Sequence, residues 1–367
     1  MHIEENVQEF LHVTESLAGG VLTSISNLAS VQVKSGYRAN VLYLRRKNTP
    51  KNTELEDFAP GVHFQEIGKA DFLGLLVLFF RCLISKEFHN KQTILHAHST
   101  WSGFILRTAA ILRPIPNLHY TPHCYAFKRE DVHRLVKIMY WTIEMVLTGL
   151  STAVTVGCCD TEAQEALKLK SKRTIAGKNF VAVSNSYLRR KSHIDVTVAT
   201  VGRISRQKNP QRFLEAVRHF PDNWKVAWYG DGDESQAELL KSQNVYVSGW
   251  LDTSNLQVAY KEMDYFVLTS DWEGLPFSLL EAMSNGVIPI VWSYFGASEV
   301  ITNNQNGFII SDISEISRII LNLEKEDAQK TQISMNAWNY VLENHSLSSL
   351  QTHWRQYYSF EGGDQGQ

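Results

Sequence analysis

This sequence predicts an α/β protein of two doubly wound domains. Its 367 residues are more than twice the rough 150 of a single domain. Short apolar or β-branched runs alternate with stretches of helical periodicity, as parallel sheets covered by helices on both faces require. The alternation then starts afresh near Val196.

In the first half, Phe10–Val13 is an apolar run broken by Gly19-Gly20. Val21–Ser35 repeats apolar residues at helical spacing and stops at Gly36, a C-cap residue. Asn40–Leu44, Thr93–His98, Asn117–Thr121 and Thr152–Val156 read as strands, with helices Thr100–Leu112 and Val132–Leu147 between them. In the second half, Val196–Val201, Lys225–Tyr229, Asn244–Val247, Tyr265–Thr269 and Val287–Val291 read as strands, with helices opening at Asn209-Pro210 and spanning Pro276–Ser284. The polar, basic stretch Tyr187–His193 suits a boundary, so the domains are expected at 1–192 and 193–345. Residues 346–367 hold a last helix, Leu347–Tyr358, and a tail, EGGDQGQ, expected to fray.

Composition excludes several classes. Hydrophobic residues at 44% and charged residues at 20% rule out a disordered or low-complexity chain. A net charge of −2 gives no global basic field for nucleic acid. The charge is uneven, however: residues 1–195 hold 24 Lys and Arg against 17 Asp and Glu, so the first half is basic and the second acidic. Anionic headgroups or phosphates suit the first half. The four cysteines, Cys82, Cys124, Cys158 and Cys159, form neither a disulfide framework nor a zinc pattern and fit a reducing cytosol. MHIEENVQEF puts acids where a signal peptide carries cations, so export is not expected. FLGLLVLFFRCLISK falls well short of the ~20 apolar residues of a spanning helix. It is expected as a helix buried against the sheet, with an interfacial helix as the alternative.

Ligands of doubly wound sheets bind beyond the carboxyl ends of the strands, so the loops after strands carry the candidates. Glu273 and Glu281 bracket EGLPFSLLE. Pro276 suits the first helical position, which puts Glu273 just outside a helix N-terminus and Glu281 inside it. The N–H groups of Leu275, Phe277 and Ser278, with the helix dipole, suit an anionic or polar ligand. The two carboxylates can accept from sugar hydroxyls and a ribose diol. In GRISRQKNP, Gly202 lets the chain turn closely, Arg203 offers a planar fork for phosphate oxygens, and Lys208 a point charge. A diphosphate is the natural ligand. Gly19 and Gly20 suit a phosphate at a βα turn, but G-x-G-x-x-G is absent; Arg45-Arg46-Lys47 leave only a weak NADP reading. His96 and His98 in ILHAHST are expected on opposite faces of a strand, with His98 and Glu15 as candidates for an acceptor. His123 follows a strand in YTPHCYAF and can donate to a sugar hydroxyl or a departing phosphate. Asp231-Gly232-Asp233 reads as a tight turn, and no metal requirement is expected.

Together these residues resemble the retaining glycosyltransferases of family four, of the bacterial surface-polysaccharide type. Glu273 and Glu281 match the family's E-x7-E motif, GRISRQKNP its G-R-x4-K loop, WYGDGDE its strand-then-glycine turn, and TESLAGGV, loosely, its N-terminal glycine loop. The resemblance implies the GT-B fold, two Rossmann-like domains facing a central cleft, with acceptor bound by the first and nucleotide sugar by the second. It implies Arg203 and Lys208 on the diphosphate, Glu281 on the ribose, and Glu273 and the backbone after Gly274 on the sugar. It also implies His123 near the transferred sugar, Gly249-Trp250 packing the base, and a last helix that crosses back onto the first domain. WSYFGASEV departs from the family, having Gly296-Ala297-Ser298 where relatives place paired glycines before the glutamate.

The expected reaction is retaining, metal-independent transfer of a hexose-type sugar from a UDP- or GDP-sugar to a saccharide or polyprenyl-diphosphate-linked hydroxyl, with no cofactor. A nucleotide-sugar epimerase or a non-catalytic sugar-nucleotide-binding subunit are the alternatives. The expected location is cytoplasmic, with a peripheral contact at the inner face of the membrane.

Overall fold

The computed structural model describes residues 7–51, 54–55, 58–184, 186–187, 195–294 and 296–358. The chain divides into two compact units. The first runs to Lys128, continues through His133–Phe180 and resumes at Ser348; the second holds Arg129–Val132 and Val181–Leu347. The division thus falls at Phe180/Val181 and not at the expected 192/193. Val181 is drawn into the second unit because it bridges Ser346, with its N–H donating to His345 O at 2.8 Å. The boundary stretch 188–193 and the tail after Tyr358 lie outside the described residues.

In unit 1, seven parallel strands are ordered β3-β2-β1-β4-β5-β6-β7. They are β1 Glu9–Thr14, β2 Arg38–Arg45, β3 His63–Lys69, β4 Thr93–His98, β5 Leu118–Thr121, β6 Val154–Gly157 and β7 Thr174–Ala176. The two edge strands, β3 and β7, had no sequence signal. HFQEIGK carries no apolar run and is largely solvated, and β7 is three residues long. The central strands β1 and β4 are buried along nearly their whole length, as strands covered on both faces must be. Separate apolar clusters fill the two faces.

The helix Phe72–Ile84 corrects the expectation of burial. Only Gly74, Leu78 and Cys82 are buried, while Phe72 stays 82% exposed and Ile84 72%. A helix needs one face for packing, and this one is apolar all round. After helix Leu347–His353 the chain tightens into a 3-10 turn, Trp354–Tyr357. Trp354 and Tyr358 pack on Phe10 of β1, and Tyr357 Oη engages both backbone groups of Lys178 at 2.6 Å. The C-terminal segment is therefore part of unit 1.

In unit 2, six parallel strands are ordered β10-β9-β8-β11-β12-β13: β8 Thr197–Val201, β9 Lys225–Tyr229, β10 Tyr246–Val247, β11 Tyr265–Leu268, β12 Ile288–Trp292 and β13 Phe308–Ile310. Chain order reverses between β8 and β11, which makes this pair the topological switch point, where such sheets bind ligands. Trp228 of β9 is fully buried and donates Nε1–H to Gly202 O at 2.8 Å. The loops after β8 and β9 lie so close that a Cβ on Gly230 would stand 2.1 Å from Gly202 O, at φ +150°.

Gly230→Ala should therefore destabilise unit 2 by about 1–3 kcal/mol from backbone strain alone, with the clash in addition. Thermal unfolding followed by near-UV dichroism checks this: an unchanged transition would show that the two loops can part freely.

Candidate active site

The loops after β8, β9, β10 and β11 leave the same edge of a parallel sheet. The first three are stitched together by backbone. Gly202 N–H donates to Tyr229 O at 3.0 Å and Ile204 N–H to Asp231 O at 2.9 Å. Gly230 bridges Gly249, and its N–H donates to Ser248 Oγ at 3.2 Å. Gly249, at φ +71°, turns the chain so that Trp250 stays 61% exposed. Where the sequence suggested a tight turn, Gly232 bridges Ile204 and Asp233 caps the helix Glu234–Ser242 by accepting from Gln236 N–H at 3.0 Å.

The loops after β8 and β11 meet at the switch point. Lys208 Nζ lies 2.8 Å from Glu273 Oε1, with both side chains largely withdrawn from solvent. Ser270 Oγ donates to the same oxygen at 2.8 Å, and Gln207 Nε2 donates to Glu273 Oε2 at 3.2 Å. Around this pair the two loops are laced. Asp271 N–H donates to Gln207 O, Asn209 Nδ2 to Asp271 Oδ1, and Thr269 Oγ1 to Lys208 O, at 2.9, 3.0 and 2.9 Å. Arg212 pairs with Asp271 at 2.7 Å while lying over the Trp292 ring at 4.2 Å. Arg203 is exposed at the start of the loop, beside Gly202.

Pro276 is the N-cap of the helix Phe277–Ser284, one position earlier than the sequence suggested. Leu275, Pro276 and Phe277 turn their side chains inward, so only backbone is offered at this helix start, and Pro276 has no N–H to offer. Glu281 lies one turn inside the helix. Its Oε2 accepts from Tyr260 Oη at 2.8 Å, and burial raises its pKa above the usual carboxylate value. Tyr260, Gln207, Ser270 and Asp271 gave no signal in sequence, because each acts through a contact made only on folding.

Unit 1 places its candidates differently. Gly19, at φ +52°, and Gly20 open the 16-residue helix Gly19–Lys34, both exposed, with no side-chain cap. Glu15 is engaged in the fold instead of facing an acceptor. Its carboxylate caps helix Thr100–Leu112, accepting from Ser102 N–H at 2.9 Å, Ser102 Oγ at 2.7 Å and Trp101 N–H at 3.3 Å. Arg46 stands 3.5 Å from it, while Arg45 is turned to Glu66.

His96 and His98 are on the same face of β4, since residues i and i+2 share a face; their ring centroids are 4.0 Å apart. Both are buried, so His98 is not an exposed lining group. His98 Nδ1 lies 3.0 Å from His123 Nε2. His123 and Cys124 both sit in the left-handed region, at φ 53° and 80°. Glu162 holds this strained loop by accepting from the N–H groups of Cys124 at 2.6 Å and Cys158 at 2.7 Å. His12, absent from the sequence candidates, completes a buried trio with His96 and His98 that has ligand atoms within 4.8 Å of one another. Its nitrogens are already engaged. His12 bonds to His98 and Gln32, and His96 to Tyr358 Oη and Thr121 Oγ1. A metal ion would have to displace these bonds.

Residues 188–339 match the family model for glycosyl transferases group 1. Over these residues the chain is similar to the group 1 glycosyltransferases. Its Lys208–Glu273 pair and the helix bearing Glu281 fall inside the matched residues. The UDP-Gal:alpha-D-GlcNAc-diphosphoundecaprenol alpha-1,3-galactosyltransferase of Escherichia coli is 26% identical over 297 residues, 72% of this chain and 74% of that protein. The crystal structure of Anabaena HepE in complex with UDP superposes with a TM-score of 0.76 at 15% identity, covering 95% of this chain and 99% of that one. That of Staphylococcus aureus TarM with fondaparinux, alpha-GlcNAc-glycerol and UDP gives 0.77 at 12% identity, covering 96% and 100%. The chain thus has the GT-B fold.

The raised pKa of Glu281 has a consequence for stability. The charged carboxylate is worse accommodated folded than unfolded, so stability is present at low pH and falls as pH rises through the folded-state pKa. Glu281→Gln keeps an acceptor for Tyr260 and removes the charge. The unliganded variant should melt at or above the parent at pH 8 and show a flatter pH dependence. Calorimetry at pH 5 and pH 8 checks it; a variant less stable than the parent at pH 8 contradicts it.

Proposed function

We propose that this chain is a group 1 glycosyltransferase that moves a hexose-type sugar from a UDP- or GDP-sugar to a hydroxyl of a saccharide or polyprenyl-diphosphate-linked saccharide, with retention, in surface-polysaccharide synthesis. The observation that carries the reading is the Lys208–Glu273 pair, which joins the G-R-x4-K loop to the E-x7-E helix at the switch point of one sheet. Arg203 and Lys208 hold the diphosphate, Glu281 the ribose, and Glu273 with the backbone at Gly274, Leu275 and Phe277 the sugar. Gly249 and Trp250 pack the base. In unit 1, Gly19 and Gly20 offer backbone N–H groups to a phosphate, and His123 meets a substrate hydroxyl. UDP is the favoured nucleotide, since the Escherichia coli relative is named for UDP-Gal and the HepE and TarM structures carry UDP.

Retention by double displacement needs a carboxylate beneath the anomeric carbon. Both Glu273 oxygens are taken up by Lys208, Ser270 and Gln207, which suits binding better than attack. We therefore favour front-face attack, in which a leaving phosphate oxygen takes the acceptor proton. Catalysis is then mostly stabilisation of the departing diphosphate by fixed cations and N–H groups. No step draws on a metal ion.

The surface of unit 1 supports a lipid-linked acceptor. Helix Phe72–Ile84 packs on helix Thr100–Leu112, and that helix on Arg134–Leu150. All three leave large apolar side chains in solvent, among them Phe72, Phe80, Leu112, Leu135, Ile138 and Trp141. Their one acid, Glu144, is buried against Arg107 at 2.9 Å; Arg134 and Lys137 add cations, while Arg81 is paired with Glu87 at 2.8 Å. An apolar face flanked by cations, on helices that expose no acid of their own, suits an anionic bilayer surface. Among the described residues no helix is long and apolar enough to cross a membrane; the exposed apolar face is what supports a peripheral place at the inner face.

Calorimetric titration with UDP, GDP and ADP tests the donor reading. One nucleotide should bind, and Arg203→Ala should abolish that binding; Lys208→Ala should lower turnover by roughly 10²–10³. No binding of any of the three would sink it. Products formed without acceptor would indicate the epimerase. The membrane reading expects sedimentation with phosphatidylglycerol vesicles, lost in Phe72→Ser/Phe80→Ser/Leu135→Ser; equal sedimentation of that variant would contradict it.

A further inference from the structure

The buried histidines of unit 1 form one continuous hydrogen-bonded chain. Gln32, on helix Gly19–Lys34, donates Nε2–H to Tyr358 Oη at 3.1 Å, which turns its Oε1 toward His12. His12 Nε2 lies 3.0 Å from that oxygen, His12 Nδ1 lies 2.9 Å from His98 Nε2, and His98 Nδ1 lies 3.0 Å from His123 Nε2.

A neutral imidazole has one donor and one acceptor nitrogen, so the carbonyl end sets every proton in turn. An amide oxygen only accepts, so His12 carries its proton on Nε2. Its Nδ1 then accepts from His98 Nε2–H, and His98 Nδ1 accepts from His123 Nε2–H. Among the hydrogen bonds described, His123 Nδ1 has no protein partner. A side branch closes consistently: Tyr358 Oη–H donates to His96 Nδ1, and His96 Nε2–H donates to Thr121 Oγ1.

We propose that His98, His12 and Gln32 are positioning residues that hold His123 as the tautomer with Nε2–H turned inward and Nδ1 presented as an acceptor to a substrate hydroxyl. This rests on the reading that His123 meets substrate. The chain begins at Gln32, three hydrogen bonds away from His123, so that a helix-core amide governs the proton of a loop residue.

Burial keeps these rings uncharged. It lowers His12, His119 and His123 to about 4 and holds His96 and His98 well below the ordinary imidazole value. The groups packed around the chain are His96, His119, Thr121 and Tyr358, and Arg173 depresses His119. Among the described residues, the bonds along the relay run through imidazole, amide and hydroxyl groups and not a carboxylate.

The test is tautomer assignment in the full-length protein labelled with 15N-histidine, by long-range 15N–1H correlation. His123 should carry its proton on Nε2. Gln32→Leu, apolar and similar in size, should lose that preference, and Gln32→Glu, which keeps an acceptor for His12, should retain it. In turnover assays Gln32→Leu should lower kcat about five- to tenfold, the worth of one hydrogen bond, with donor KM within about twofold and Gln32→Glu restoring most of the rate. A His123 proton on Nδ1 in the parent, or His123 signals unchanged in Gln32→Leu, overturns the relay. So does a shift of the His12, His96 and His98 signals together on adding a chelator, since that would show a metal ion held by the trio. If His123→Ala keeps full turnover while UDP still binds, the substrate contact of His123 fails and the proposal with it. If His123→Ala is slow but Gln32→Leu is not, the contact stands and the relay falls.

Discussion

The ion pair between Lys208 and Glu273 is the contact on which the catalytic reading depends. The two residues are 65 positions apart and follow two strands that lie side by side only because the sheet reverses its winding between β8 and β11. At that point neighbouring loops diverge above the sheet and leave room for a ligand. The pair spans this gap, and bonds from Ser270, Gln207, Asn209 and Thr269 fix both loops around it. The cationic and anionic groups proposed to meet a diphosphate and a sugar are therefore held in place by the fold itself, as electrostatic preorganisation requires.

Unit 1 uses buried carboxylates for a similar purpose. Glu15 caps the helix that follows β4, and Glu162 gathers the N–H groups of Cys124 and Cys158. Each carboxylate satisfies backbone donors in a loop at the carboxyl end of the sheet. The second allows His123 and Cys124 to occupy left-handed backbone conformations, which cost about 1–3 kcal/mol apiece unless the surroundings impose them. Behind that loop the histidine column replaces what would be an apolar strand core by a chain of paired imidazoles. Nearly every polar atom along it is matched, so it orders the loop where a half-satisfied network would loosen it.

Charge and apolar surface are segregated in the same unit. The helices Phe72–Ile84 and Thr100–Leu112 each pack one stripe on the sheet, Arg134–Leu150 packs on Thr100–Leu112, and all three leave apolar side chains outside. Their only acid is withdrawn into a buried pair with Arg107. The basic balance of the first half thus has a local counterpart on one face.

The sequence by itself determined the fold class, the central strands and the motif residues. Apolar runs such as Thr93–His98 and Tyr265–Thr269 must be buried on both faces, and the Glu273–Glu281 spacing places two acids around one helix start. It could not mark β3 or β7, whose edge positions need no apolar run. It could not tell which stripe of Phe72–Ile84 packs, because both stripes are apolar. Glu15 looked available to a ligand in sequence, yet the fold turns it onto the amides of Trp101 and Ser102. Gln32, His12, Tyr260 and Tyr358 carried no signal at all. Their roles arise from partners tens or hundreds of residues away, and only tertiary packing brings hydrogen-bonding atoms so distant in sequence to within 3 Å.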